Sequence, residues 1–188
     1  GTSIINVFAF GGKSNIDILV SEYSKAETEL YGDSDRDQYF GTSMAVAGVS
    51  YGMQLNPKAY GKAVVAYSWQ ENHANHILVY RDTLFEIDSM VPNMNYSYKE
   101  QKITALYHLN YKVNNRHSFK AGVSAEQYMY NHIDSNLNLF TWNFDNRYDY
   151  TDNALLMQAF FQWKYKAAEK LVVNGGLHGQ IFTMNANS

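Results

Sequence analysis

Three stretches of the sequence alternate apolar and polar residues with a period of two, and this alternation most constrains the fold. In Ile103–Val113 every second residue is apolar or tyrosine, and the residues between them are mostly polar. Ala45–Leu55 and Leu155–Tyr165 follow the same pattern. Successive side chains of a strand point to opposite faces, whereas a helix would mix the two sets on every face. Each stretch therefore predicts a strand with one apolar and one polar face.

Short polar turns alternate with long polar connections along the chain. Asn, Pro and short polar clusters favour tight turns that join two strands into an antiparallel hairpin. We expect such turns near 56–59, 114–116 and 166–169. We expect long loops, rich in Asp, Asn, Ser and Tyr, near 21–40, 81–99 and 135–152. Outer-membrane barrels have this asymmetry, because their periplasmic turns are short and their external loops are long.

The predicted fold class is all-β: an antiparallel meander of about seven transmembrane strands that forms part of a larger outer-membrane barrel. No linker or shift in composition divides residues 1–188, which we treat as one partial barrel. Aromatic residues make up 15% of the chain. Several lie near the predicted turns, where a barrel carries its interfacial aromatic girdle. These residues are Tyr60, Tyr111, Phe119, Trp163 and Tyr165.

The composition excludes several other classes. The chain has no cysteine, which excludes disulfide scaffolds and thiolate metal sites. A net charge of -3 and singly scattered basic residues give no basic stripe for nucleic acid. No apolar run reaches the 18 or so residues of a transmembrane helix. The mean hydropathy of -0.40 is compatible with barrel strands, because alternation averages their polarity.

Several segments resemble the barrels of TonB-dependent receptors from the Bacteroidetes, the group whose members often carry a carboxypeptidase-regulatory-like domain before the plug. Near the start, the resemblance lies in Asn6–Ser14, in Leu30–Asp33 and in Ala47–Tyr51. It continues in the last hairpin, Gln158–Trp163 and Leu171–Leu177, which is similar to a hairpin frequent in the family. Family barrels have about 22 strands, so seven would form roughly a third of a wall.

The resemblance implies active import of a bulky nutrient, such as a glycan, a peptide or a metal chelate, and no enzymatic activity. It implies no cofactor. The implied partners are outer-membrane lipid, the remaining barrel and plug of the same transporter, and TonB acting through the plug. A surface lipoprotein is a further implied partner in glycan or peptide import. Two alternatives stay open: another outer-membrane barrel, such as a porin-like channel or a barrel enzyme, or a soluble carbohydrate-binding β-sandwich.

The segment 135–152 is the best candidate for ligand contact. Aromatic rings alternate there with amide and charged side chains, which suits sugars or peptides through stacking and hydrogen bonding. The candidate residues are Trp142, Phe144, Asn146, Arg147, Tyr148 and Tyr150. The alternative is that these aromatics belong to an outer girdle and to loop packing.

Asp33, Asp35 and Asp37 form a D-x-D-x-D pattern, which is how a calcium loop begins. An EF-hand is excluded, because Gln38 stands where the loop requires glycine and Met44 where it requires glutamate. An irregular Ca²⁺ site is therefore the weaker interpretation, and a solvated acidic loop is the stronger one. No Ser/His/Asp pattern or carboxylate pair predicts a catalytic site.

Overall fold

The computed structural model describes residues 2–24 and 33–184, and within them the prediction of a seven-stranded antiparallel meander is confirmed. Each strand pairs with the next along the chain, so spatial order follows sequence order in one sheet. The strands are β1 (Ser3–Ile18), β2 (Arg36–Asn56), β3 (Ala59–Arg81), β4 (Ile87–Lys112), β5 (His117–Asn138), β6 (Asn143–Ala168) and β7 (Leu171–Met184). A β-sandwich needs two packed sheets, whereas all of these strands belong to one.

Tight turns close the sheet at one end, at 57–58, 113–116 and 169–170. At the other end the predicted long loops are wrong in extent. Only 82–86 separate β3 from β4, and only 139–142 separate β5 from β6. In the region predicted as a loop at 21–40, β2 already begins at Arg36, and residues 25–32 lie outside the described residues.

The strands extend further than predicted because polar residues also pair across strands. The amide nitrogen Nδ2 of Asn95 donates to Oδ1 of Asn75 over 2.6 Å, and Nδ2 of Asn131 donates to Oγ1 of Thr151 over 3.0 Å. Where both faces of a sheet meet water, a strand needs no apolar alternation. Loss of alternation therefore marks the end of the apolar surface and not the end of the strand.

The register aligns the apolar faces of all seven strands. One row across the sheet consists of Val7, Val49, Val65, Ala105, Ala125, Met157 and Ile181. On β4 the apolar positions run from Ile103 to Tyr111, roughly nine residues, and a tilted strand needs about 9–11 to cross a bilayer. We call this surface the apolar band and the opposite surface the polar face. No described residue of the band is charged.

In the middle of the sheet, apolar side chains of the band are more exposed than polar side chains of the opposite face, which is the reverse of a water-soluble protein. Val49 and Val65 in the band are 46% and 58% exposed, whereas Ser50 on the polar face is only 5% exposed. The buried apolar residues of the described chain are few, and none is larger than valine: Val20, Ala59, Ala74, Val79 and Ala154. This sheet therefore has no hydrophobic core of its own, and its apolar side chains face outward.

Aromatic side chains border the band beside the tight turns. Tyr111, Phe119 and Trp163 are register neighbours on β4, β5 and β6. The Trp163 ring stacks on that of Tyr165, with ring centroids 5.7 Å apart. Tyr60, predicted in the same group, lies instead on the polar face, because it alternates with Gly61 of the apolar band and pairs with Gln54 and Asn110.

A short 3-10 helix, Val20–Glu22, follows β1 and is held to the sheet by Asp37. The Asp37 carboxylate is fully buried and accepts hydrogen bonds from the Ser21 backbone N–H (2.8 Å) and hydroxyl (2.6 Å). Arg81 donates to the Val20 carbonyl over 2.8 Å. Within the described ranges, no helix has the length and apolarity to cross a membrane.

Replacing Asp37 with alanine should release this helical turn. A hydrogen bond to a charged group contributes about 1.5–3 kcal/mol, so amide exchange at Ser21 should accelerate about tenfold or more. Hydrogen–deuterium exchange measures this directly. Asp35→Ala is the control, because the Asp35 carboxylate contacts the Arg36 side chain and not Ser21. Unchanged protection of Ser21 in Asp37→Ala would show that the carboxylate does not hold the turn.

Candidate ligand-binding site on the polar face

Three neighbouring strands each carry a Tyr-x-Tyr pair at the sheet end remote from the tight turns. Because the spacing is two, both rings of each pair lie on one face, and the register places all three pairs on the polar face. His132 is the direct partner of both Tyr98 and Tyr150. The resulting surface, here named the tyrosine surface, consists of Tyr96, Tyr98, Tyr128, Tyr130, His132, Tyr148 and Tyr150.

The imidazole of His132 lies at the centre of the tyrosine surface. Its ring centroid is 5.0 Å from that of Tyr98, 5.8 Å from Tyr130 and 6.4 Å from Tyr150. Tyr96 stacks on Tyr98 at 4.7 Å with an interplanar angle of 16°. The rings hold one another in place, which fixes their orientation before any ligand arrives.

Asp134 lies beside the tyrosine surface on the same face, as the register partner of Tyr96 and Tyr148. It is 4% exposed, forms an ion pair with Arg147 and accepts a hydrogen bond of 3.1 Å from the Tyr98 hydroxyl. Its second oxygen, Oδ1, has no hydrogen-bond partner. Burial, followed by the hydrogen bond to Asp134, raises the pKa of Tyr98. The hydrogen bond to Asp134 also raises the pKa of Arg147, so the guanidinium stays charged.

Two further carboxylates flank Tyr130, since Glu100 and Asp152 are its partners on the two neighbouring strands. The Glu100 carboxylate accepts a hydrogen bond of 2.6 Å from Gln70, and its other oxygen is 3.5 Å from Nε2 of His132. The Tyr150 hydroxyl donates to Asp152 over 3.0 Å, and this bond raises the pKa of Tyr150. The ring faces can stack on a ligand, and the carboxylates beside them can accept its hydrogen bonds.

The structure brings three of the six predicted ligand residues to this surface. Tyr148 and Tyr150 belong to it, and their ring centroids are 6.0 Å apart. Arg147 reaches Asp134 because a register shift between Asp134 and Ser135 leaves Arg147 as an extra residue in β6. These three residues are therefore part of one site.

The other three predicted residues lie elsewhere. Trp142 ends the hairpin turn with a φ of 56° and is 65% exposed. Phe144 is paired with Leu137, and Asn146 accepts a hydrogen bond of 3.0 Å from the Ser135 hydroxyl. Beyond the register shift, Phe144 and Asn146 occupy positions of the face opposite to Tyr148. The predicted cluster of six is therefore divided between two faces and a turn.

Sequence reasoning missed six residues of this site: Tyr96, Tyr98, Tyr128, Tyr130, His132 and Asp134. Tyr-x-Tyr recurs at 96–98, 128–130 and 148–150, and this recurrence was the available signal. It predicts rings on one face of each strand, although only the register shows that the three pairs are adjacent.

The acidic candidate near the start of β2 is divided among different partners. Arg36 is 3.3 Å from the Asp33 carboxylate and 2.7 Å from that of Asp35, whereas Asp37 is bound to Ser21. Among the described residues, no group of three His, Cys, Asp or Glu is arranged to hold a metal ion. The three carboxylates thus do not converge on one point.

The pKa of Tyr98 should fall when Asp134 is replaced with asparagine. The loss of the nearby negative charge stabilises the phenolate, and the pKa should move toward its usual value of about 10. Since folding raises this pKa, the associated stability is present below about pH 10 and is lost as the pH rises through the folded-state pKa. Spectrophotometric titration, with Tyr98→Phe to assign the signal, gives the measurement. Asp149→Asn, which removes a carboxylate from the opposite face, should leave the pKa unchanged; an equal shift there would contradict the assignment.

Comparison with known proteins gives limited matches. No protein-family model matches the chain, and no curated protein matches its sequence. Among solved structures, the chain is similar to one titled copper transporter OprC, with a TM-score of 0.41 and 11% sequence identity. The alignment covers 95% of this chain and 36% of that protein, so the chain spans little more than a third of its neighbour's length.

Proposed function

We propose that the chain is part of the wall of a transporter barrel in the bacterial outer membrane. One observation carries the proposal: the apolar band faces outward across all seven strands, over about the length that a bilayer requires. Contiguous exposed apolar surfaces of more than a few hundred Å² are rare on soluble monomers and mark contact with lipid or another protein. The aromatic border formed by Tyr111, Phe119 and Trp163 is typical of a barrel at the membrane interface.

In this proposal the polar face lines the lumen. The tyrosine surface then lies beyond the apolar band on the external side, where an incoming nutrient would first contact the wall. The cargo is a bulky glycan, peptide or metal chelate, and the chain has no catalytic role. A plug inside the complete barrel closes the lumen, TonB acts on that plug, and a surface lipoprotein delivers the cargo.

Conductance measurements on the complete protein in a planar lipid bilayer distinguish a transporter from an open channel. A plugged transporter should show no steady ion conductance, whereas a porin-like channel should conduct continuously. In cells, uptake of the cargo should cease when TonB is deleted. Steady conductance together with TonB-independent uptake would overturn the transporter proposal and favour the channel.

Replacing both Tyr98 and Tyr150 with alanine tests the role of the tyrosine surface in the same cells. Uptake should fall at limiting cargo concentration and recover when the cargo is abundant, because ligand contact is weakened while the lumen is intact. Tyr51→Ala, which removes a ring from the apolar face of β2, is the control.

A further inference from the structure

Lysines gather on the polar face at the sheet end that carries the tight turns. Lys112 and Lys164 are both register partners of Ser118, so they flank it on neighbouring strands. Lys120 follows two residues later on the same face of β5, and its ammonium lies 5.8 Å from the Phe160 ring centroid. Lys58, in the turn before β3, donates to the Val113 carbonyl over 3.1 Å. Residues distant in sequence are thus brought to one place.

These lysines have no acidic partner in the part of the chain that the structure describes. Every lysine ion pair found there belongs to Lys99 or Lys102, toward the opposite end of the sheet. Lys112, Lys120 and Lys164 are all exposed. The polar face therefore carries uncompensated positive charge beside the turns, while carboxylates such as Glu100 lie toward its other end.

The lysines line one groove of about 490 Å³, which falls within the usual range of about 300–1,000 Å³ for small-molecule sites. Its other lining residues supply mainly amide and hydroxyl groups, and none is acidic. These polar lining residues include Gln54, Tyr60, Asn110, Ser118, Gln162 and Asn174. A cleft lined by one sign of charge concentrates the opposite ion, and lysine binds phosphate as a point charge.

We propose that this groove is a binding site for a small, multiply charged anion that carries phosphate or carboxylate groups. Lys112, Lys120 and Lys164 supply the charge, and Ser118 with the neighbouring amides supplies hydrogen bonds. The inference rests on the proposed function, since it places the groove in the lumen near the periplasmic end. It adds an anion-selective step to a path whose external end is aromatic and acidic.

Inorganic pyrophosphate is the probe, and calorimetry on the complete, folded protein at low ionic strength is the measurement. Lys120→Gln combined with Lys164→Gln should lower the affinity at least about tenfold, because each lost contact is a charged hydrogen bond. Lys13→Gln combined with Lys99→Gln removes the same charge from the opposite face and should leave binding nearly unchanged.

Three outcomes would overturn the proposal. The first is that the intact protein does not bind pyrophosphate, and the second is that the two double variants lose affinity equally. The third is that carboxylates from elsewhere in the protein already occupy the groove and exclude the probe. Circular dichroism confirms that each variant is folded. Because the assay requires neither transport nor a membrane, its failure leaves the lipid-facing role of the apolar band to be judged independently.

Discussion

Arginine in place of Ala125 is expected to destabilise the folded protein in a bilayer by about 2–4 kcal/mol, the cost of a basic residue at the midplane of a barrel's lipid face. Ala125 lies in the central row of the apolar band, between Ala105 and Met157. The guanidinium would therefore be placed in hydrocarbon, far from either interface. Equilibrium unfolding by guanidinium chloride in phospholipid bilayers measures the change.

Ser124→Arg is the matched control, because Ser124 is adjacent, similarly small and on the opposite face. Its hydroxyl is 3.4 Å from the Gln158 side chain, among polar neighbours. An arginine there would meet water in the lumen and should destabilise the protein far less. Equal destabilisation by the two variants, or a greater effect at Ser124, would reverse the assignment of the faces.

Valine in place of Gly122 should destabilise the sheet by about 1–3 kcal/mol through overpacking. A Cβ atom at Gly122 would lie 2.5 Å from Cε1 of Phe160 and 3.0 Å from the Tyr107 carbonyl oxygen. Phe160 is the register partner of Gly122 on β6, and its ring already fills the space that a side chain at Gly122 would need. Unfolding in bilayers again gives the free energy.

A double-mutant cycle with Phe160→Ala separates this clash from a general effect of valine. Removal of the ring should relieve most of the strain, so the double variant should be more stable than the sum of the single effects predicts. Gly179→Val is a second control, because nothing lies within 4 Å of a Cβ atom there. Strict additivity of Gly122→Val and Phe160→Ala would show that the ring does not restrict this position.

The strands of the apolar band could be predicted from sequence because, in the proposed barrel wall, lipid on one side and water on the other impose a period of two. Val49, Ala105 and Met157, in three separate alternating stretches, prove to lie in one row. Beyond the apolar band both faces carry polar residues, and the alternation disappears although strand pairing continues, as at Asn95 and Asn75. Segments predicted as long loops are for this reason mostly strand.

The candidate site could be predicted only in part, because register is a property of strand pairs. The aromatic content of β6 pointed to Tyr148 and Tyr150. The extra residue at Arg147 changes which side chains share a face, and no local pattern marks it. Similarly, Lys112 and Lys164 are single lysines in the sequence and become neighbours only through their shared partner Ser118.

The most direct test of the lipid-facing apolar band uses the chain's three tryptophans. Trp163 borders the band beside the tight turns, and Trp69 lies on the same face near its other border, as the partner of Ala45 and Gln101. Trp142, at the tip of the β5–β6 hairpin, lies far beyond the band. Three variants of the complete protein, each retaining only one of these tryptophans, place a fluorophore at three different positions along the strand direction.

Fluorescence quenching by lipids brominated along their acyl chains gives the measurement in folded, bilayer-embedded protein. Trp163 and Trp69 should be quenched, most strongly by bromine close to the headgroups, because they lie at the two interfaces. Trp142 should be unaffected by bromine at any depth. Quenching of Trp163 and Trp69 no greater than that of Trp142 would contradict a membrane-spanning wall.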